Sequence, residues 1–473
     1  MVDSKHLKSL LFLTGCPLHL TLAPLTWRIT LAESAFFPAN QERYLPSSAQ
    51  PCAPSMKPWR RAVSARPMCC PQPSVEALRR YLSCTFDVLD PRKLGCIHLL
   101  HSTACLSINP PAKLVLGKAL YEYVASGTDD EQTLAENRQA FKRIFLLPRM
   151  MRDVSSLDLR LDVFGQRLSM PVFVSPAGVH KLMHPAGECA TARACDEVGT
   201  LMGVSQHATV SLEEVAAAAP RCARWFQLYI LKDRELTANI LRRSERAGYS
   251  AICLTVDSVR FGSREADWRN NFNGLPPGMT LANYPTKDGY NDRIKDAWDQ
   301  NTEKLFDERA TWADIAWVKS VTSLPILVKG ILTAQDAVLA VQAGASGVIV
   351  SNHGGRALDG SLSSIESLGP VVKAVRSLPA GAGVPIFLDS GVRRGTDVLK
   401  ALALGATAVL LGRPVFFSLA VGGKDGVARM LGIIRDELEA AMAICGCKGL
   451  QDVTEDLVTN FRGGGSTFHR PRL

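Results

Sequence analysis

Long hydrophobic runs are missing from this 473-residue chain: no eighteen consecutive residues are apolar, so no membrane span is expected. Charge of one sign is also scarce over most of its length. The net charge is +9, but residues 1–111 hold 12 Lys/Arg against 6 Asp/Glu, and the remainder holds 42 against 39. A body so nearly balanced is unlike a duplex-binding surface, which excludes nucleic acid as the expected partner. Paired metal-ligand spacing is lacking too. Of 13 cysteines, seven (Cys16, Cys52, Cys69, Cys70, Cys84, Cys96 and Cys105) fall early, and Cys445 and Cys447 form a C-x-C without a second ligand pair. No metal is expected, and the cysteines read as free thiols of a reducing or peroxisomal compartment.

What is present is a soluble globular composition, with 47% hydrophobic and 21% charged residues. Two regions differ in texture. Residues 1–111 are rich in Pro, Ser, Cys and Arg with little periodicity, and read as an extension of low order. Three readings stay open for it: a poor signal sequence, an Arg-rich transit peptide, or non-coding sequence wrongly joined to the gene. Residues 112–473 read as the folded domain.

From Pro171 onward, short β-branched runs alternate with amphipathic stretches. The runs are PVFVSP (171–176), TLMGVS (200–205), RWFQLYI (224–230), SAICLTVD (250–257), PILVKG (325–330), GVIVSN (347–352), PIFLDS (385–390) and AVLLG (408–412). Helical stretches at 186–198, 234–247, 334–343 and 395–404 are each followed by a glycine, where a C-terminal cap prefers one. Eight such β-α units predict an α/β protein, a closed parallel (β/α)8 TIM barrel. An open doubly wound sheet is the alternative, which the absence of a dinucleotide fingerprint disfavours. One connection, residues 258–311 after the fourth strand, is long and polar, and such loops are usually functional or mobile.

Barrel enzymes work at the C-terminal ends of their strands. Those ends carry Ser175, Ser205, Gln227 with Tyr229, Thr255 with Asp257, Lys329, Ser351 with His353 and Arg356, Asp389, and Gly412 with Arg413. So many convergent polar groups predict a site. DSGVRRG (389–395) and LGRP (411–414) end strands seven and eight, where glycines and Arg393 or Arg413 suit a phosphate. Lys329 ends an apolar run and needs a partner: either an anionic cofactor or a strand carboxylate such as Asp389. SNHGGR (351–356) offers a base in His353 and a carboxylate fork in Arg356, with Arg264 in the long loop as a second fork.

SNHGGR, PILVKG, LTVDSVRFGSREAD, WFQLY, YEYVASGTDDEQTLAEN and DSGVRRGTDVLKALALGA resemble the FMN-dependent 2-hydroxy acid oxidases and dehydrogenases over about 115–460, with the glycolate oxidases and peroxisomal (S)-2-hydroxy acid oxidases most similar. The resemblance implies an enzyme that oxidises a small (S)-2-hydroxy acid with FMN as cofactor. It gives His353 the role of base, with Asp257 stabilising the imidazolium. Tyr123, Tyr229, Arg264 and Arg356 would hold the substrate. FMN would meet Pro176, Ala177, Gly178, Ser205, Gln227, Thr255 and Ser351 at its ring. Lys329 would lie at the N1–C2=O edge. Asp389, Ser390, Gly391, Val392, Arg393, Gly412 and Arg413 would lie towards its phosphate. It further implies dioxygen as acceptor with release of hydrogen peroxide, a quinone or cytochrome acceptor being the alternative, and a homo-oligomer, by resemblance a tetramer.

Several positions depart from the glycolate oxidase pattern. His207 stands for a tryptophan of the substrate pocket, Phe261 for a leucine, and Ala177-Gly178 for a Thr-Ala pair near the flavin. A larger or more polar substrate side chain than that of glycolate is therefore expected. No HPGG haem motif occurs, so no cytochrome b5 domain is expected. The terminal Pro471-Arg472-Leu473 resembles a peroxisomal tripeptide, while the Arg-rich N-terminus suggests a mitochondrial or plastid address instead. Two further readings are an FMN barrel isomerase, which would not need the acid-binding set, and an inactive FMN-binding barrel.

Overall fold

In the computed structural model the described residues are 109–260, 262–285 and 305–460. The extension up to residue 108, Phe261 and the terminal tripeptide lie outside them. All eight predicted runs are strands. They are β4 (Val172–Ala177), β5 (Leu201–Ser205), β6 (Ala223–Leu228), β7 (Ala251–Thr255), β8 (Ile326–Ile331), β9 (Gly347–Val350), β10 (Ile386–Leu388) and β11 (Ala408–Leu411). Each pairs in parallel with the next, and β11 pairs back onto β4, so the sheet is a closed barrel. Strands covered on both faces are near-continuous apolar runs, and β5, β6 and β7 are buried from end to end.

Register sets the site. Ser205 lies opposite Gln227 and Thr255 opposite Lys329, so the polar strand ends form one layer. Beneath that layer the lumen is filled by Phe173, Trp225 and Phe387, with Trp225 edge-on to both phenyl rings at 5.5 and 5.0 Å. A hairpin that no sequence pattern announced, β2 (Leu161–Val163) and β3 (Gln166–Leu168), closes the floor. Val163 and Leu168 join the lumen core, and Phe164 in its turn lies 6.0 Å from Trp225.

The outer helices follow from spacing and caps. The helix α5 (Arg234–Arg246) buries Thr237, Ala238, Ile240, Leu241 and Ser244, one stripe of a 3.6-residue repeat, and Asp233 accepts the Leu236 amide at its start. Ser211 caps α4 (Leu212–Ala218) by a reciprocal capping box. Gly199 ends α3 (Gly187–Val198) at φ 75°, and Gly248, Gly344 and Gly405 also sit at positive φ just past their helices, as the glycine spacing predicted.

Ahead of the barrel, α1 (Asn109–Ala125) bends at Gly117, and α2 (Gln132–Lys142) and the short strand β1 (Ile144–Leu146) follow. The helix α1 begins three residues ahead of the expected domain start. The long loop contributes a short helix, α6 (Glu265–Arg269), and then returns so that Phe306 pairs with Leu231 beside β6. No helix among the described residues is long and apolar enough to cross a membrane.

Candidate active site

A cavity with about 1360 Å³ of empty space, part of it open to solvent, sits over the C-terminal strand ends. Its wall includes Tyr123, Pro176, Ala177, Gly178, Ser205, Gln227, Tyr229, Thr255, Arg264, Lys329, His353, Arg356, the stretch 389–393, Gly412 and Arg413. Nearly every residue expected from the sequence is therefore brought to one place. Two stand behind the wall instead. Ser351 is fully buried and its Oγ accepts from Lys329 Nζ (3.1 Å) and from the His353 amide (3.0 Å). Asp257 backs His353.

The centre of the wall is an Asp–His pair. Asp257 Oδ1 lies 2.8 Å from His353 Nδ1, and Ser258 Oγ lies 2.9 Å from the same carboxylate oxygen and 3.1 Å from the same ring nitrogen. Burial alone would push the Asp257 carboxyl up, but the nearby His353 and Lys329 charges hold it down at about 2. It is a permanent anion at neutral pH. A carboxylate on Nδ1 orients the ring and favours a charged imidazolium, leaving Nε2 to receive a proton.

His353 is itself in the left-handed region, at φ 57°, which costs a non-glycine residue of order 1–3 kcal/mol. The neighbouring residue supplies the restraint. Asn352 and Asn137 exchange two buried amide hydrogen bonds, of 2.9 and 2.7 Å, and Asn352 Oδ1 also accepts the Gly355 amide at 3.1 Å. These two asparagines went unassigned in the sequence, although both lie in the quoted motifs. The only signal was their presence there.

Lys329 resolves its two options by adopting the internal one. Its Nζ lies 3.3 Å from Asp389 Oδ2 and 3.9 Å from Asp257 Oδ2. Burial would lower its pKa, yet the two carboxylates hold it above its ordinary value, so it keeps its charge beneath the cavity. The cavity still meets it, so pairing with Asp389 and facing an anion are compatible.

Arginines ring the opposite side. Arg264 is paired with Asp267 at 2.7 Å and lies over the Tyr123 ring at 5.6 Å. Arg356 lies over the same ring at 5.2 Å, and its Nη1 donates to the carbonyls of Tyr123 (2.7 Å) and Ser126 (3.2 Å). Arg413 is committed further, donating to the carbonyls of Val124, Gly354 and Ser126, each at 2.8 Å. Both guanidinium groups thus cap the carboxyl end of α1, where backbone carbonyls lack helical partners and cations are favoured. Burial, with Arg264 acting on Arg356 and with Arg356 and Arg393 acting on Arg413, lowers both pKa values. An anion in the cavity relieves that mutual repulsion.

Whether FMN suits these residues can be judged from polar atoms without partners. Gln227 Nε2 and Thr255 Oγ1 are buried in the wall with no hydrogen bond. Unmatched buried donors are costly and point to a ligand atom. They line the same cavity as Lys329, with Thr255 directly opposite it in the sheet, and a heteroaromatic ring with carbonyl and ring nitrogen acceptors fits there. Gly412, around which a Cβ would meet nothing within 4 Å, lines the same cavity as Arg393 and Arg413. The residues present fit the cofactor.

The loop end of β6 completes the wall. Tyr229 stacks on Phe306 at 4.6 Å, and burial raises its phenol pKa. His207 lies 5.3 Å from Tyr229, 5.8 Å from Tyr284 and 6.0 Å from Phe306. Leu281 and Leu305 also line the cavity. Tyr284, Leu305 and Phe306 had no signal in the sequence, because loop residues reach the site only through a fold-back with no period.

Known proteins resemble this chain in sequence and fold. The sequence profile of the FMN-dependent dehydrogenase family matches residues 112–460. Glycolate oxidase of Spinacia oleracea is 50% identical over 364 residues, covering 76% of this chain and 97% of its own. Glycolate oxidase 1 of Zea mays is 50% identical over 345 residues, covering 72% and 92%. Among solved structures, mandelate oxidase with (S)-4-hydroxymandelic acid superposes with a TM-score of 0.71 at 39% identity, covering 76% of this chain and 99% of that one.

Proposed function

The chain belongs to the FMN-dependent dehydrogenase family, and from that premise we propose that it oxidises a small (S)-2-hydroxy acid to the 2-oxo acid, with His353 as base and dioxygen as final acceptor, releasing hydrogen peroxide. The observation that carries this reading is the half-buried Asp257–His353 pair at 2.8 Å, at a cavity whose wall includes Arg264 and Arg356. Relatives named for glycolate and for mandelate support the 2-hydroxy acid class.

The roles follow from the groups. Arg264 and the donors of Arg356 not held by α1 bind the substrate carboxylate together with Tyr123, over whose ring both guanidinium groups lie. Tyr229 hydrogen-bonds the substrate hydroxyl or carboxylate. His353 receives a proton from the substrate at Nε2, and Asp257 stabilises the positive charge that results. FMN, when bound, supplies the acceptor for the substrate's two electrons. Gln227, Thr255, Ser205 and the backbone of Pro176–Gly178 would hold its ring, Lys329 would place positive charge at the N1–C2=O edge, and Arg393, Gly412 and Arg413 would hold its phosphate. Ser351 supports this set from behind by fixing Lys329 and the His353 backbone.

We further propose a peroxisomal address read from Pro471-Arg472-Leu473, testable by masking that tripeptide in a fluorescent fusion, and a homo-tetramer, testable by light scattering.

The reaction is tested by mixing the oxidised holoenzyme anaerobically with glycolate, lactate, mandelate and longer 2-hydroxy acids. Bleaching of the flavin absorbance by at least one acid is expected, followed in air by one hydrogen peroxide per acid consumed. No bleaching by any acid refutes the reading. Turnover only with an added quinone or cytochrome replaces dioxygen as the acceptor.

A further inference from the structure

One buried polar atom in the cavity wall has no part in the chemistry above. His207 Nε2 is enclosed and has no hydrogen-bond partner. Its surroundings differ from those of the unpartnered Gln227 and Thr255 atoms, which belong to the polar strand-end layer with Lys329. The His207 ring lies among Tyr229, Tyr284 and Phe306, with the Phe306 ring only 13° from parallel to it. Aromatic rings thus crowd the imidazole, and the unpartnered Nε2 is the ring atom left to bond. The His207 amide donates to Ser205 Oγ at 3.0 Å, which ties the backbone of this residue to the strand-end layer.

A buried ring nitrogen without a partner is retained at a cost unless something binds it. Hydrophobic walls discriminate weakly between a substrate and its hydroxylated isostere, whereas a fixed polar group discriminates well. We propose that His207 Nε2 hydrogen-bonds a neutral oxygen on the third carbon of the substrate, so that the chain prefers 2,3-dihydroxy acids to aliphatic 2-hydroxy acids of the same size. The inference rests on the proposed oxidation of 2-hydroxy acids and names the substrate class within it.

A neutral oxygen is specified by charge. Burial, together with the charge of His353, pushes the His207 pKa down to about 4, so the ring is uncharged at neutral pH. An uncharged ring hydrogen-bonds a hydroxyl well but cannot offset the desolvation of a second carboxylate. Diacids are therefore poor occupants of this end.

The test compares 2,3-dihydroxypropanoate with 2-hydroxybutanoate, which differ by one hydroxyl in place of a methyl. Anaerobic flavin reduction gives the ratio of their second-order rate constants in the wild-type holoenzyme and in His207→Phe. Perturbation of the oxidised flavin spectrum gives, independently of turnover, the dissociation constants of the matching 2-oxo acids. Loss of one buried hydrogen bond is expected to shift both ratios by about tenfold against the hydroxylated member in His207→Phe. His207→Gln, which keeps a donor, is expected to retain the wild-type ratios. His207→Leu reads the same contact if the phenyl ring prevents folding.

Ratios unmoved by loss of the imidazole refute the inference and leave acid oxidation intact. If no 2-hydroxy acid bleaches the flavin but oxo-acid binding still follows His207, the oxidation reading fails and the hydrogen bond stands.

Discussion

Replacing Asp257 by asparagine removes the charge behind the proposed base while preserving shape. Unit charges 2.8 Å apart in an effective dielectric of about 20 attract by ~6 kcal/mol. Two effects reduce what the substitution removes. Lys329, at 3.9 Å, already neutralises part of the Asp257 charge in both states of the histidine. An amide in the same position also keeps a neutral hydrogen bond worth about 1 kcal/mol. A net loss of about 3–5 kcal/mol in stabilising the charged imidazole corresponds to a ~10²–10⁴-fold slower flavin reduction. The assay is anaerobic stopped-flow bleaching at saturating substrate. Asp389, at 3.3 Å, still pairs with Lys329, so the flavin should stay bound and its visible spectrum should be retained. Reduction within about threefold of wild type, with flavin bound, would refute Asp257 as the partner of a charged His353. The double variant with His353→Gln should be little slower than His353→Gln alone, because groups that act as a unit are not additive.

Other outcomes follow from the same structure. His353→Gln should keep FMN and reduce it ~10²–10⁴-fold more slowly, read by the same bleaching experiment. Arg264→Lys replaces a fork with a point charge and should raise the substrate dissociation constant by about tenfold for acids but not for their esters, as measured by flavin titration. Trp225→Ala empties the fully buried centre of the lumen and should cost about 3–5 kcal/mol in urea unfolding. His207 is held at about 4 in the folded chain against an ordinary 6.5, so below pH 6.5 the unfolded chain takes up a proton that the folded one does not. Stability should therefore fall as pH drops from 6.5 towards 4, by about 3 kcal/mol from this group, and His207→Phe should flatten that limb in denaturation curves taken at each pH.

The barrel was legible because its signal is local. Each strand is a short run buried on both faces, as in Ala223–Leu228, and each break is a glycine or a cap such as Gly199 or Ser211. The strand-end residues were legible for the same reason, since a strand's last polar residue is a position in sequence. What escaped depends on pairings distant in the chain. The β2–β3 hairpin is two runs of three residues, too short for a period, and its burial depends on the lumen already being built. Phe306 reaches Tyr229 by bridging back to Leu231, 75 positions earlier in the chain. Arg413 was read as a phosphate ligand from its glycine-rich surroundings. Its donors to Val124, Ser126 and Gly354 could not be foreseen, because those acceptors are backbone carbonyls that every residue carries.

The clasp of Arg356 and Arg413 on the carboxyl end of α1 means that the eight β-α units are not a self-sufficient catalyst. Tyr123 and the carbonyls that anchor both arginines come from a segment ahead of the first barrel strand. A minimal barrel cut at Pro171 would keep the proton acceptor while losing the α1 side of the acid clamp. Laid straight, the seventeen residues of α1 would span about 25 Å, and the bend at Gly117 shortens that, so Asn109 lies within about 25 Å of the carboxyl end the arginines clasp.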